Sequence, residues 1–387
     1  MSRKLRMGMV GGGQGSFIGG VHRMAAALDG HIELVCGAFS STAEKSRASG
    51  RELYLPDDRI YGDFQEMITQ EKALPEDQRM DFVSVVTPNY MHFAPAKLAL
   101  ENGFHVVSDK PATFTIEEAK ELQKLVESTG LLYALTHNYT GYPMVKEAKH
   151  LVSSGTLGKI RKVVVEYPQG WLGQLLEKSG SKQASWRTDP DKAGISNCMG
   201  DIGTHAENLA EYITGLQITE LCADLTAFGE GRELDTDGNV LLRFDNGAKG
   251  VLHASQISVG EENAFKIYVY GEKAGLEWHQ MNPNTLLVKW PDRPVEIYRT
   301  GVDHDYLSDH AQFNTRLPAG HPEGYVEAFA NVYRNFALTL QARLEGKDPD
   351  PLATDFPTIA DGVRGMAFVK NVVESSKSNE KWYRFEV

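Results

Sequence analysis

Leu5-Arg6-Met7-Gly8-Met9-Val10-Gly11-Gly12-Gly13-Gln14-Gly15-Ser16 is the stretch on which the fold turns. Leu5–Val10 reads as a short buried strand, the glycines end it, and a helical pattern runs on to about Leu28. Glycine at this junction lets the backbone turn tightly and approach a pyrophosphate, and the helix start that follows offers N–H groups and a positive dipole end to the anion. The expected cradle is Gly11, Gly13, Gln14, Gly15 and Ser16, with Phe17 and Ile18 in the first helical turn. Ser16 holds the position where the usual fingerprint has its last glycine, so helix and strand are expected to sit further apart.

Outward from this unit, Ile32–Ala38, Phe82–Val86, His105–Ser108 and Leu131–Thr136 also read as strands, with helical patterns between them. In residues 117–128, for example, Ala119, Leu122, Leu125 and Val126 form one apolar stripe. Alternating strand and helix means a parallel sheet with right-handed crossovers, here over residues 1–137. Beyond Thr136 the pattern changes. A helix over 144–153 ends at Gly155, and from Ile160 strands follow closely, with Asp245-Asn246-Gly247 as a hairpin turn. Residues 138–387 thus form an α+β domain with a large, mostly antiparallel sheet. Helices at 326–344 and 356–376 close the chain, the last expected to pack back on the first domain.

Apolar residues make up 41% of the 387-residue chain, enough for two cores. No run approaches the roughly 18 apolar residues of a membrane span, and the start at Ser2-Arg3-Lys4-Leu5-Arg6 lacks the apolar stretch of a leader. Cys36, Cys198 and Cys222 are widely spaced, which suggests a reducing, cytoplasmic setting and neither a disulfide framework nor a metal site. A formal charge of −12 with scattered Lys and Arg argues against nucleic acid as a partner.

Ligands of open α/β sheets collect at the carboxyl ends of the strands. The second strand ends in Phe39-Ser40-Ser41-Thr42-Ala43-Glu44-Lys45, with no acid where a site for NAD grips the ribose. Ser40, Ser41 and Lys45 either receive a 2′-phosphate or belong to the cap of the next helix, so NAD and NADP both remain open. After the third strand, Thr87-Pro88-Asn89 and His92 either contact a cofactor ribose or carboxamide, or form a helix cap and a packed histidine. After the fourth, Asp109-Lys110-Pro111 places an acid and an ammonium beside the expected nicotinamide.

A second constellation is Gly194-Ile195-Ser196-Asn197-Cys198-Met199-Gly200-Asp201-Ile202-Gly203-Thr204-His205. With a helix starting near Ile202, Asp201 and His205 share a face, and the dipole of the first turn keeps His205 neutral, as a general base must be. Trp186 and Arg187 suit sugar rings and hydroxyls, or form a loop-stabilising ion pair. His321, in Gly320-His321-Pro322-Glu323-Gly324-Tyr325, either touches substrate or marks a helix entry.

Together, the glycine loop, Thr87-Pro88-Asn89 with His92, Asp109-Lys110-Pro111 and Asp201-Ile202-Gly203-Thr204-His205 make the chain resemble the Gfo/Idh/MocA family over essentially its whole length. The resemblance implies a Rossmann domain, a second domain whose open sheet face makes dimers or tetramers, and catalytic roles for Lys110, Asp201 and His205. His137-Asn138-Tyr139-Thr140-Gly141-Tyr142-Pro143 and residues 186–205 look most like members acting on sugars, anhydrosugars, glycosides or cyclitols. Asn138 is expected at the cofactor, and Lys110, Tyr139, Trp186, Arg187, Asp201, His205 and His321 at the substrate. The chain departs from the family in carrying Ile195, Ser196 and Asn197 near the usual triple glycine, and Thr140 where many members have Arg.

The reaction these residues suggest moves hydride between a secondary carbinol and the nicotinamide, with His205 as base, Lys110 stabilising alkoxide character and Asp201 positioning a polyhydroxylated substrate. A redox-assisted glycosidase without net NADH, and a non-catalytic dinucleotide sensor, are the other classes this fold admits.

Overall fold

A computed structural model describes residues 3–387; Met1 and Ser2, where the stretch read as lacking a leader begins, lie outside the described residues. The chain divides into two compact units, Met1–Asn138 with Tyr325–Val363, and Tyr139–Gly324 with Arg364–Val387.

The first unit is built on five parallel strands, β1 (Leu5–Gly11), β2 (Ile32–Ala38), β3 (Phe82–Val86), β4 (His105–Ser108) and β5 (Tyr133–Leu135), in the order β2-β1-β3-β4-β5. Every residue of β3 is buried, as a central parallel strand covered on both faces requires. One face packs Leu5, Met7, Met9 and Phe82 against Val21, Phe329, Tyr333 and Phe336; the other packs Val83, Val85 and Val106 against Ala96, Leu100 and Leu122. Phe329, Tyr333 and Phe336 lie on the helix Tyr325–Leu344, so the long penultimate helix joins this unit. The last helix, Ile359–Lys377, expected to pack back on the first domain, is divided between the units, with residues to Val363 in the first and those from Arg364 in the second. Its later turns face the second unit, where Arg364 pairs with Glu211.

The second unit carries nine strands: β6 (Ile160–Pro168), β7 (Ile218–Thr226), β8 (Asp237–Phe244), β9 (Lys249–Ser255), β10 (Lys266–Gly271), β11 (Gly275–His279), β12 (Thr285–Lys289), β13 (Glu296–Arg299) and β14 (Tyr383–Arg384). Their order is β13-β12-β11-β10-β6-β9-β8-β7-β14, antiparallel except for β6 beside β9. Gly247, at φ 88°, makes the turn between β8 and β9 that Asp245-Asn246-Gly247 announces. Strand alternation buries Val240, Leu242 and Phe244 while Leu241 stays 47% exposed. The helices Pro143–Ser153 and Thr204–Thr214 pack on the buried side of this sheet. Among the described residues no helix is long and apolar enough to cross a membrane.

Candidate active site

The glycine loop is shaped by three positive φ angles, at Gly11 (80°), Gly12 (69°) and Gly15 (75°), which side-chain-bearing residues rarely adopt. Ser16 caps the helix α1 (Phe17–Leu28), its hydroxyl accepting the Gly19 N–H at 3.2 Å. The close approach of helix and strand, expected to be lost with Ser16, is supplied one turn later. A Cβ on Gly19 would stand 2.4 Å from the Gly12 Cα, so Gly12 and Gly19 together let α1 seat on β1. At Gly13 a Cβ would meet the Phe39 carbonyl and the Ser49 hydroxyl, each at 2.6 Å. Gly13 is therefore small because the end of β2 and the helix α2 (Ala43–Glu52) lie against it. Ser49 also accepts the Gln14 N–H, at 3.1 Å. At Gly15 a Cβ would meet nothing within 4 Å, which leaves the crest of the loop open above the first turn of α1.

The cap before α2 is Thr42, whose side chain makes no capping bond, so neither Ser40 nor Ser41 serves as the N-cap that the alternative reading required. Ser40 is half-buried, and Ser41 and Lys45 are exposed.

At the carboxyl end of the central strand β3, Thr87 and Asn89 are half-buried and Pro88 is exposed. His92 is 1% exposed and lies between two carbonyls, Nδ1 2.6 Å from that of Pro111 and Nε2 2.8 Å from that of Thr87. It ties the turn after β3 to the turn after β4, and it is not an accessible cofactor contact. Burial, with Lys110 nearby, holds its pKa down. Asp109 Oδ1 accepts the Lys110 N–H at 2.9 Å and the Thr136 hydroxyl at 3.0 Å. Burial alone would raise this carboxyl, but His22, His92 and Lys110 outweigh it and hold Asp109 well below the usual carboxylate range. His137, 2% exposed, is lowered to about 3 by burial and by the Lys110 charge, so its imidazole is neutral.

A dinucleotide fits this edge. Asn138 Nδ2 and Thr87 Oγ1 are buried without a hydrogen-bond partner, and the loop crest at Gly15 is clear. Such orphaned groups are costly in a closed interior and natural where a ligand completes them.

In the second unit Met199–Gly203 forms one π-helical turn leading into the helix Thr204–Thr214. π turns recur at functional positions because they re-aim side chains within a helix. The expected start near Ile202 is thus corrected: winding begins about a turn earlier, and His205 lies past the first turn, where the helix dipole acts only weakly. Asp201 Oδ2 accepts from Arg187 Nε at 3.1 Å and from Gln256 Nε2 at 2.9 Å. Gln256 is held in turn by Asn197, which donates to its Oε1 at 2.9 Å. The buried Asp235 carboxylate takes the N–H groups of Asn197 (3.0 Å) and Met199 (2.8 Å) and so fixes the entry to the π turn. Arg187 lies over the Trp186 ring at 4.2 Å, so the ion-pair reading of this pair is realised with Asp201 as the acid.

His205, 6% exposed, meets the Tyr139 ring edge-on at 4.8 Å. Tyr139 is itself 4% exposed, its hydroxyl bonded to that of Tyr167 and to Asn263 Nδ2 at 3.2 Å. Burial raises its pKa, so it is a neutral phenol that backs His205 and leaves little surface for a direct substrate contact. His321 is exposed and lines a cleft of about 370 Å³ with Asn284, Arg299, Thr300 and His304; Asp201, His205 and Arg187 do not line that cleft.

Gln256, Asp235, Asn263 and His22 escaped the sequence reading, which names Asn197 only as a departure from the usual triple glycine. Gln256 directly follows β9, a strand end where polar residues can be suspected; the others carry no local mark.

The first unit is that of a dinucleotide-dependent oxidoreductase: a parallel sheet, a glycine loop open over a helix start, and an acid and a lysine at the carboxyl edge. The chain belongs to the Gfo/Idh/MocA family. Residues 5–137 match the oxidoreductase family with NAD-binding Rossmann fold, and 145–277 the GFO/IDH/MocA C-terminal domain. The chain is 32% identical to an uncharacterized oxidoreductase of Bacillus subtilis, YfiI, over 100% of this chain and 98% of that protein. It is 26% identical to levoglucosan dehydrogenase of Pseudarthrobacter phenanthrenivorans, covering 79% and 82% of the two chains. The crystal structure of an inositol dehydrogenase homologue from Azotobacter vinelandii, complexed with NADH and myo-inositol, superposes with a TM-score of 0.91 at 33% identity, covering 100% of this chain and 98% of that one. The protein is an NAD-binding oxidoreductase.

Proposed function

We propose that the chain oxidises a secondary alcohol of a sugar, anhydrosugar, glycoside or cyclitol, or reduces the matching ketone, with NAD or NADP. The observation that carries this reading is the setting of Asp201: a carboxylate fixed by Arg187 and Gln256, four residues before a buried histidine on a re-aimed helix. Fixed carboxylates and guanidinium groups are what several vicinal hydroxyls require for orientation. The inositol and levoglucosan dehydrogenase relatives support the same substrate class.

The bound nicotinamide supplies the two-electron chemistry. Gly15 and the first turn of α1, with Phe17 and Ile18, would hold its pyrophosphate, and Asn138 and Thr87 would hydrogen-bond other parts of the cofactor. His205 takes the proton of the reacting hydroxyl. Lys110 stabilises the negative charge that develops on oxygen, and Asp201 with Arg187 orients the polyol. The end of β2 carries no acid, which leaves NADP acceptable beside NAD. Exposed Leu241 (47%), Tyr270 (41%) and Ile297 (56%) on the open face of the nine-stranded sheet support association into a dimer or tetramer.

The test is turnover of inositols, free sugars, anhydrosugars and glycosides with each cofactor, followed by nicotinamide absorbance. Steady reduction with at least one polyol is expected. Glycoside cleavage without net absorbance change, or cofactor binding with no turnover across the panel, overturns the reading.

A further inference from the structure

The first unit buries a line of polar groups that the reaction above does not use. His22, on α1, is fully buried; its Nδ1 is 2.7 Å from the Tyr333 hydroxyl, which is 2.8 Å from Ser84 Oγ. Its other nitrogen, Nε2, has no hydrogen-bond partner and stands 3.8 Å from Asp109 Oδ1. The ring is clamped edge-on by Phe329 at 4.7 Å and Tyr333 at 5.8 Å. Three other segments thus act on one carboxylate, His22 from α1, His92 from the turn after β3 and His137 after β5, beside its own neighbour Lys110. Tyr333, from the helix Tyr325–Leu344, meets the His22 ring on the nitrogen that faces away from the carboxylate.

Proton counting gives this line a direction. A neutral imidazole has one donor and one acceptor nitrogen, and a carboxylate only accepts. With a single hydrogen on the ring, the nitrogen facing Asp109 is the one to carry it, Nδ1 then accepts from the Tyr333 hydroxyl, and the Tyr333 oxygen accepts from Ser84. We propose that His22 is a positioning residue, with Ser84 and Tyr333 fixing its tautomer so that Nε2–H points at Asp109 and holds the carboxylate on the Lys110 backbone N–H. Lys110 is thereby set in place by groups that never touch substrate. The effect on turnover rests on the role given to Lys110 above; the tautomer does not.

Two measurements on the full-length protein test this. Nitrogen-15 NMR of the histidines is expected to show the His22 hydrogen on Nε2 with Nδ1 bare, and a hydrogen on Nδ1, alone or together with one on Nε2, overturns the proposal. Tyr333→Phe removes one oxygen and keeps the ring; it is expected to lower kcat about tenfold with the KM for cofactor nearly unchanged, the size of effect that a small displacement of a catalytic group produces. Asp109→Asn should lower kcat by about 10²-fold, and adding Tyr333→Phe to it should cost little more, since both act through one carboxylate. Multiplicative losses, or a Tyr333→Phe protein with lowered Tm and unchanged kcat, overturn the proposal. Ser84→Ala serves if Tyr333→Phe does not fold. A Lys110→Ala enzyme that keeps its turnover removes the role of Lys110, and the tautomer then decides the His22 line by itself.

Discussion

The cofactor loop and the π turn are built on different principles. Residues 11–16 work through their backbone: positive φ angles, absent side chains and a helix start, all within a dozen residues of each other. The turn at Met199–Gly203 works through side chains recruited from elsewhere in the chain: Arg187 and Gln256 each hold Asp201, and Asp235 takes the N–H groups of Asn197 and Met199. A backbone device is broken by adding atoms. A side-chain network is broken by removing one. That contrast sets the mutations that separate the two sites.

The largest effect is expected at His205. A general base contributes about 10² to 10⁴ in rate, so His205→Ala should lose turnover in that range while cofactor affinity, measured by calorimetry, stays near normal. A variant that keeps most of its turnover across the pH range would assign the base to another residue.

Gly13→Val tests the backbone device. Its Cβ would meet the Phe39 carbonyl and Ser49 hydroxyl at 2.6 Å, so the loop must shift, and dinucleotide affinity should fall by about 10²-fold or more. The fold of residues 139–324 should persist by limited proteolysis. Unchanged affinity in titration calorimetry would mean the loop yields without cost.

Gln256→Leu removes the amide donor to Asp201 and leaves Arg187 in place. Turnover is expected to fall about tenfold, by loss of orientation rather than of chemistry, with substrate KM rising and cofactor Kd constant. If cofactor Kd moves instead, the network serves the wrong ligand in this account.

The smallest effect is one of selectivity. Ser40→Asp should weaken NADP against NAD by about tenfold through repulsion of the 2′-phosphate. A ratio of the two affinities that does not move places the adenosine ribose elsewhere.

Much of this was legible in the chain. The five strands of the first sheet lie where their apolar runs put them, because parallel strands covered on both faces show it as short, mostly apolar stretches. The hairpin at Asp245-Asn246-Gly247 was equally plain, since its turn chemistry is local. Ser16 misled because helix packing was read from the fingerprint position, whereas Gly19, three residues on, meets Gly12. His92 misled because a histidine at a strand end looks the same in sequence whether it faces a ligand or, as here, two backbone carbonyls.

What the sequence by itself determined is the dinucleotide loop, the parallel sheet and the residue types at the strand ends, since each depends on neighbours a few positions away. Only the tertiary structure decided which side chains complete the sites. Tyr333 reaches His22 across 311 residues, and Gln256 reaches Asp201 across 55. Contacts at such separation leave no periodicity or spacing to read; they exist only once hydrophobic burial has brought distant segments together, and a hydrogen bond in that dry interior then fixes which pairs hold.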